Sequence, residues 1–160
     1  MNQSHPSPPP APPCVIRKAT SHDAPVIEGL YRELVSDPLI KVLPEQVAAM
    51  AASRHSLLLV AEVDDVVCAT ALLTICLDAM YGTQPFGVIE NIVVTPQMRG
   101  WGLGRSLVNH VERLAADHHC TKLMLLSSHT RHEAHAFFKR CGFDSDTKHA
   151  FVKYRRDFAP

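Results

Sequence analysis

The run "VIENIVVTPQMRGWGLGRSLVNHVERLAADHHCTKLMLL", Val88 to Leu126, carries the organisation of this chain. Its first seven residues are apolar and β-branched apart from Glu90 and Asn91, and Thr95-Pro96 ends them, so 88–94 reads as a strand. Leu103, Leu107, Val108, Val111, Leu114, Ala115 and His118 then follow a helical period. Arg105, Asn109, Glu112, Arg113 and Asp117 take the other side, which predicts an amphipathic helix over 103–119. Leu123 to Leu126 reads as a buried strand. Strand, helix and strand in that order make a βαβ crossover, hence a sheet with at least one parallel pair.

Between the first strand and the helix stand Gly100, Gly102 and Gly104. A glycine-rich turn there leaves backbone N–H groups free at the positive end of the helix dipole, where a phosphate can bind. Two common phosphate loops do not fit. Gly104-Arg105-Ser106 lacks the lysine of the nucleotide-hydrolase loop, and a dinucleotide fingerprint that used Gly100 and Gly102 would need glycine at 105. The spacing does satisfy Arg-x-x-Gly-x-Gly, met by Arg99, Gly102 and Gly104.

Working outward, Cys14 to Ala19 reads as a strand. Ser21, Asp23 and Pro25 open a capped helix whose apolar set is Val26, Ile27, Leu30 and Leu34, and Pro44 to Arg54 reads as a second helix. Leu57 to Val63 and Val66 to Leu77 are β-rich runs joined by the turn Asp64-Asp65. Beyond the central unit, Thr130 to Glu133 has the form of a capping box for a short helix through Arg140, ended by Gly142, and His149 to Phe158 alternates as a final strand does. Residues 1–13, with six of the chain's 12 prolines, read as a proline-rich tail without the basic start and apolar core of a secretory signal. Residues 14–158 read as a single domain.

The totals narrow the function. Sixteen basic and 16 acidic side chains cancel, so no global field draws nucleic acid. No apolar run approaches the ~20 residues that span a bilayer. Five scattered cysteines point to reduced thiols in a cytoplasmic chain. Ten histidines include His132-x-x-His135 on one helical face, but a third ligand is not evident, and no metal is expected.

The glycine motif after a Glu90-bearing strand, together with the segment "AHAFFKRCGF" at 134–143, resembles the GNAT superfamily of acyl-CoA-dependent N-acetyltransferases. The resemblance covers Cys14 to about Tyr154. It implies an α/β fold with a mixed, mostly antiparallel twisted sheet of six to seven strands and about four helices. It also implies acetyl-CoA as cosubstrate, its pyrophosphate held by the turn formed by Arg99, Gly100, Trp101, Gly102, Leu103, Gly104 and Arg105, and its pantetheine arm paired with the backbone of Ile92, Val93 and Val94. Arg131 stands where many members have a cofactor-contacting asparagine.

By the same resemblance Glu90 is the general base. An alkylammonium with pKa near 10 is only about 0.1% neutral at pH 7, a handicap of roughly 4 kcal/mol, and a carboxylate in a buried strand has a raised pKa that suits the task. The oxyanion donor falls near Ile92 or Val93. Phe138 occupies the place of the tyrosine that protonates the leaving thiolate in many members, and Tyr154, Tyr81, Ser128 or water is left to replace it. The implied reaction is direct acetyl transfer in a ternary complex to a small-molecule primary amine, by a chain that could form a homodimer. Protein lysines or N-termini are the enzymatic alternative, and a non-catalytic coenzyme-A-binding module is the other.

Overall fold

The computed structural model describes residues 13–159, so the proline-rich tail lies outside it apart from Pro13. The chain forms two compact units that meet in sequence at Leu125 and Leu126. The first contains β1 (Val15–Lys18), α1 (Ala24–Leu34), α2 (Pro44–Ala52), β2 (Ser56–Val63), β3 (Val66–Cys76), β4 (Phe86–Val94), α3 (Leu103–Asp117) and β5 (Leu123–Leu125). The second contains α4 (His132–Arg140). The fold is the α/β type expected, with five strands and four α-helices among the described residues.

The sheet runs in the order β1-β2-β3-β4-β5, antiparallel throughout except for the parallel pair β4 and β5 that closes the predicted crossover around α3. Asp64 and Asp65 take φ of 50° and 61°, the left-handed pair that a two-residue turn between twisted strands requires. Leu58 and Val60 of β2 join Ile27 and Val47 from α1 and α2 in one core cluster. The alternate residues Leu57 and Leu59 are equally buried, so β2 is covered on both faces. Helix α3 packs against β3 and β4, and its residues Leu103, Leu107, Val108, Val111 and Ala115 are all buried, as the periodicity predicted.

An ion cluster ties β1 to the start of α1. The guanidinium of Arg17 donates to both carboxylate oxygens of Asp23, at 2.8 and 2.9 Å, and its Nε donates to Glu62 of β2 at 2.9 Å. Asp23 also accepts the backbone N–H of Thr20 at 2.7 Å and its hydroxyl at 3.0 Å. Its side chain is 8% exposed, and the Arg17 guanidinium beside it holds the pKa down at about 2, from 3.8. A carboxyl with a depressed folded pKa stabilises the fold above its unfolded pKa, and the contribution disappears as pH falls through the folded value. Asp23→Asn is therefore expected to cost about 2 kcal/mol at neutral pH. Urea denaturation of both proteins should show the gap narrowing from pH 4 downward and nearly closed at pH 2; a gap independent of pH would refute the assignment.

Two local expectations fail. Residues 149–158 form no strand and hold only a 3-10 turn over Arg155–Asp157. Phe151 is 95% exposed, and Val152, Tyr154 and Phe158 are about 60% exposed. The sheet thus has one or two strands fewer than expected. The capping box at 130–133 is also not formed, because α4 begins at His132 and places Arg131 at the N-cap without a side-chain cap bond. Gly142 follows the helix with φ of 92°, as its place after the last turn predicted.

Candidate active site

Strand β4 belongs to two ladders of unequal length. Towards β3 it stays paired as far as Val94, opposite Ala69, whereas towards β5 the last pair is Ile89 with Leu125. From Glu90 to Val94 the β5-side edge of β4 therefore extends past its parallel neighbour. At the parting point the β3 ladder slips: Leu72 pairs with Glu90 and Thr70 with Val93, so Ala71 faces two residues, Asn91 and Ile92. This is a β-bulge, and Asn91 adopts φ of 53° to make it. Asparagine is among the few residues with a side chain that tolerate this region.

The ladder decides which backbone groups face the open edge. The N–H of Thr95 donates to the carbonyl of Cys68 at 2.8 Å, and in an antiparallel ladder such bonded positions alternate. Val93 is accordingly turned towards β3, whereas Ile92 and Val94 present their N–H and C=O groups to the open side. Arg99 lies on that side too, its Nε donating to the Val94 carbonyl at 3.0 Å. Of the three β4 residues expected to pair with a pantetheine arm, Ile92 and Val94 turn away from β3 and Val93 turns towards it.

Beyond Arg99 the chain makes the glycine turn. Gly100 and Gly102 have φ of 81° and 84°, and Gly102 is the N-cap of α3 with no side-chain cap bond. A side chain at either position would be strained, and the turn thereby delivers the first N–H groups of a 15-residue helix uncapped. Arg99, Trp101 and Arg105 are exposed, Gly104 is half-buried, and Leu103 is only 1% exposed, so Leu103 can reach a ligand through its backbone alone. The open edge of β4 leads directly into this uncapped turn: a strand-like acceptor and donor row, then an anion cradle. That combination fits an extended ligand with an amide-bearing arm and a pyrophosphate, which is the shape of coenzyme A.

Glu90 sits on β4 where the strands part, but it is exposed rather than buried. The expected burial in the strand fails here, at the bulge and beyond the end of the β5 ladder. Sequence reasoning passed over Asn91 and Tyr31. Tyr31 of α1 packs at the edge of the core, where burial pushes the pKa of its hydroxyl upward and the side chain of Asn91 opposes the shift. An asparagine inside a β-branched run was the available signal for the bulge.

In the second unit Arg131 is exposed at the start of α4, and Phe137 and Phe138 are half-buried with ring centroids 5.2 Å apart. Phe138 also meets Phe143 edge-on at 6.1 Å. His132 and His135 share a helix face, and the Nε2 of His135 lies 2.9 Å from the Ser128 carbonyl. Among the described residues no group of three or more potential metal ligands converges, and no helix is long and apolar enough to cross a membrane.

Comparison with known proteins agrees with this geometry. The model of the acetyltransferase (GNAT) family matches residues 27–143. An aminoglycoside N(6')-acetyltransferase type 1 of Stenotrophomonas maltophilia is 29% identical over 86% of this chain and 91% of its own length. A protein of Agrobacterium tumefaciens str. C58 assigned as an acetyltransferase superposes with a TM-score of 0.78 at 31% identity, over 88% of this chain and 99% of that one. The aminoglycoside N-acetyltransferase AAC(6')-Iy, solved in complex with CoA, superposes with a TM-score of 0.76 over 92% of this chain and 98% of that one. At 20% identity that likeness is one of fold.

Proposed function

We propose that this chain, which belongs to the acetyltransferase (GNAT) family, carries the acetyl group of acetyl-CoA directly onto a primary amine of a small metabolite. GNAT enzymes use acetyl-CoA, which supplies an activated thioester. The observation that carries the reading is the parting of β4 from β5 after Ile89, with the bulge at Asn91 on one side and the uncapped glycine turn on the other.

The residues divide the work as follows. The N–H groups of the turn from Gly100 to Arg105 hold the pyrophosphate, with the charge of Arg99 and Arg105 beside them. Ile92 and Val94 hold the pantetheine arm through their open-edge backbone groups. Glu90 accepts the proton that the ammonium must lose, directly or through one water. An exposed carboxylate is in contact with water, so it suits relay through solvent better than abstraction in a dry pocket. The N–H of Ile92 donates to the thioester carbonyl oxygen, where negative charge develops.

The acceptor follows from weaker support. The relative from Stenotrophomonas maltophilia is named for acetylating an aminoglycoside, so amino sugars with a free primary amine are the first compounds to try. Release of free thiol from acetyl-CoA should be followed across amino sugars, small alkylamines, amines bearing phosphate or phosphonate, and lysine peptides. The proposal expects at least one small amine to accelerate release well above hydrolysis. Acceleration by peptides alone would reassign the substrate class. Thermal stabilisation by acetyl-CoA with no accelerating amine would make the chain a cofactor-binding module.

A further inference from the structure

Asn91 stands between two groups to which the proposed reaction gives work. Glu90 precedes it and the N–H of Ile92 follows it, so the backbone of Asn91 sets the spacing of base and oxyanion donor. That backbone has φ of 53°, a conformation that costs a residue with a Cβ and persists where its surroundings hold it. The registers show from which side it is held. Residues directly opposite in a ladder share a face, and here Leu58 pairs with Leu72 and Leu72 with Glu90. Leu58 belongs to the core cluster that α1 and α2 cover, and Leu72 packs against that cluster, so Glu90 lies on the same face. Alternation along a strand would send the next side chain to the opposite face. Asn91 does not follow it: its side chain meets the hydroxyl of Tyr31, on α1, the helix that packs against β4. The left-handed residue thus sets two consecutive polar side chains, Glu90 and Asn91, on one face of the sheet.

We infer that Tyr31 is a positioning residue for acetyl transfer: its hydroxyl fixes the side chain of Asn91, and through it the bulge that spaces Glu90 from the Ile92 N–H. The inference rests on the reaction proposed above. Tyr31 is suited to the task because its two ends are in different surroundings. Its ring packs against the same core cluster as Leu72, which fixes where the hydroxyl stands, and Asn91 is exposed, with little packing of its own to hold it. Tyr31 touches no reacting atom in this role. Its effect on rate comes from geometry, since reacting groups that stay chemically intact but move by about 1 Å lose rate steeply.

Two variants of the full chain test this. Tyr31→Phe removes one oxygen and keeps the ring in the core; Asn91→Gly removes the side chain and accepts the positive φ. Amide hydrogen exchange, followed by NMR without acetyl-CoA or amine, reads the bulge directly. Each variant should speed exchange of the Val93 amide, which is turned towards β3, roughly tenfold, with Leu59, Val60 and Ala61 of β2 unchanged. The double variant should exchange no faster than either single one, because both changes break the same link. Thiol release with an amine that the wild-type chain accepts reads the consequence. Tyr31→Phe should lower kcat roughly tenfold with the KM for acetyl-CoA within twofold, and Asn91→Gly should do the same without adding to it. The defect should persist as pH rises towards the pKa of the amine, because the Ile92 donor is displaced along with the base, and pH relieves only the need for a base. Additive losses in the double variant would overturn the inference, as would unchanged exchange at Val93 or unchanged kcat in Tyr31→Phe. A wild-type chain that turns over no amine would defeat the reaction proposed above, and the exchange rates would still decide whether Tyr31 holds the bulge.

Discussion

Glu90→Gln is expected to lower kcat at neutral pH by roughly 100- to 1,000-fold, the range typical of removing a general base. Glutamine keeps the size of the side chain at a position that is already exposed, so the fold should not suffer. The KM for acetyl-CoA should stay near its original value, because the residues proposed to hold the cofactor, from Ile92 to Arg105, do not include Glu90. The defect should shrink as pH rises towards the pKa of the acceptor amine, where the amine sheds its own proton and the base becomes redundant. Steady-state thiol release from pH 6 to 10 measures this. A variant with unchanged turnover across that range would remove Glu90 from the chemistry.

The second large effect concerns the turn. Gly102 has φ of 84°, a region that costs a residue with a Cβ roughly 1–2 kcal/mol. Gly102→Ala can relieve that strain only by rotating the peptide units that present the N–H groups of α3. Its acetyl-CoA affinity should fall roughly 10- to 100-fold, or about 1.4–2.7 kcal/mol of binding free energy. Gly29→Ala is the matched control: it lies within α1, an alanine Cβ there meets nothing within 4 Å, and the change should stabilise the helix by about 1 kcal/mol. Calorimetric titration with acetyl-CoA, paired with thermal unfolding, separates the two variants. Equal affinities would mean that the turn does not carry the pyrophosphate.

What could be read from the sequence was what local physics determines. The period of α3, the Asp64-Asp65 turn and the order β4-α3-β5 all follow from neighbours close in the chain, and the structure has each of them. The errors arose where a distant partner decides. Residues 149–158 alternate as a strand does, but alternation supplies only one side of a ladder and does not by itself make a strand. Arg131 at the N-cap of α4 displaced a box that the letters at 130–133 permitted but did not compel. Glu90 sits in an apolar run that implied burial; its exposure comes from β5 ending at Leu125, which nothing near Glu90 in sequence announces. The glycines of the turn were visible in the sequence, whereas the turning of Ile92 and Val94 away from β3, and of Val93 towards it, follows only from the ladder.

Leu103 gives the glycine turn a property that its glycines alone could not. Gly100 and Gly102, both at positive φ, carry no Cβ to restrict them, yet the next side chain is 1% exposed in the core. A turn made entirely of free residues would sample many shapes and would have to be ordered by each arriving ligand, weakening binding by that lost entropy. Leu103 in the core anchors this turn on one side, and Arg99 on the Val94 carbonyl ties it on the other, which restricts the shapes open to it. The affinity of the turn is thus set partly from inside the protein, by how firmly the core holds one leucine.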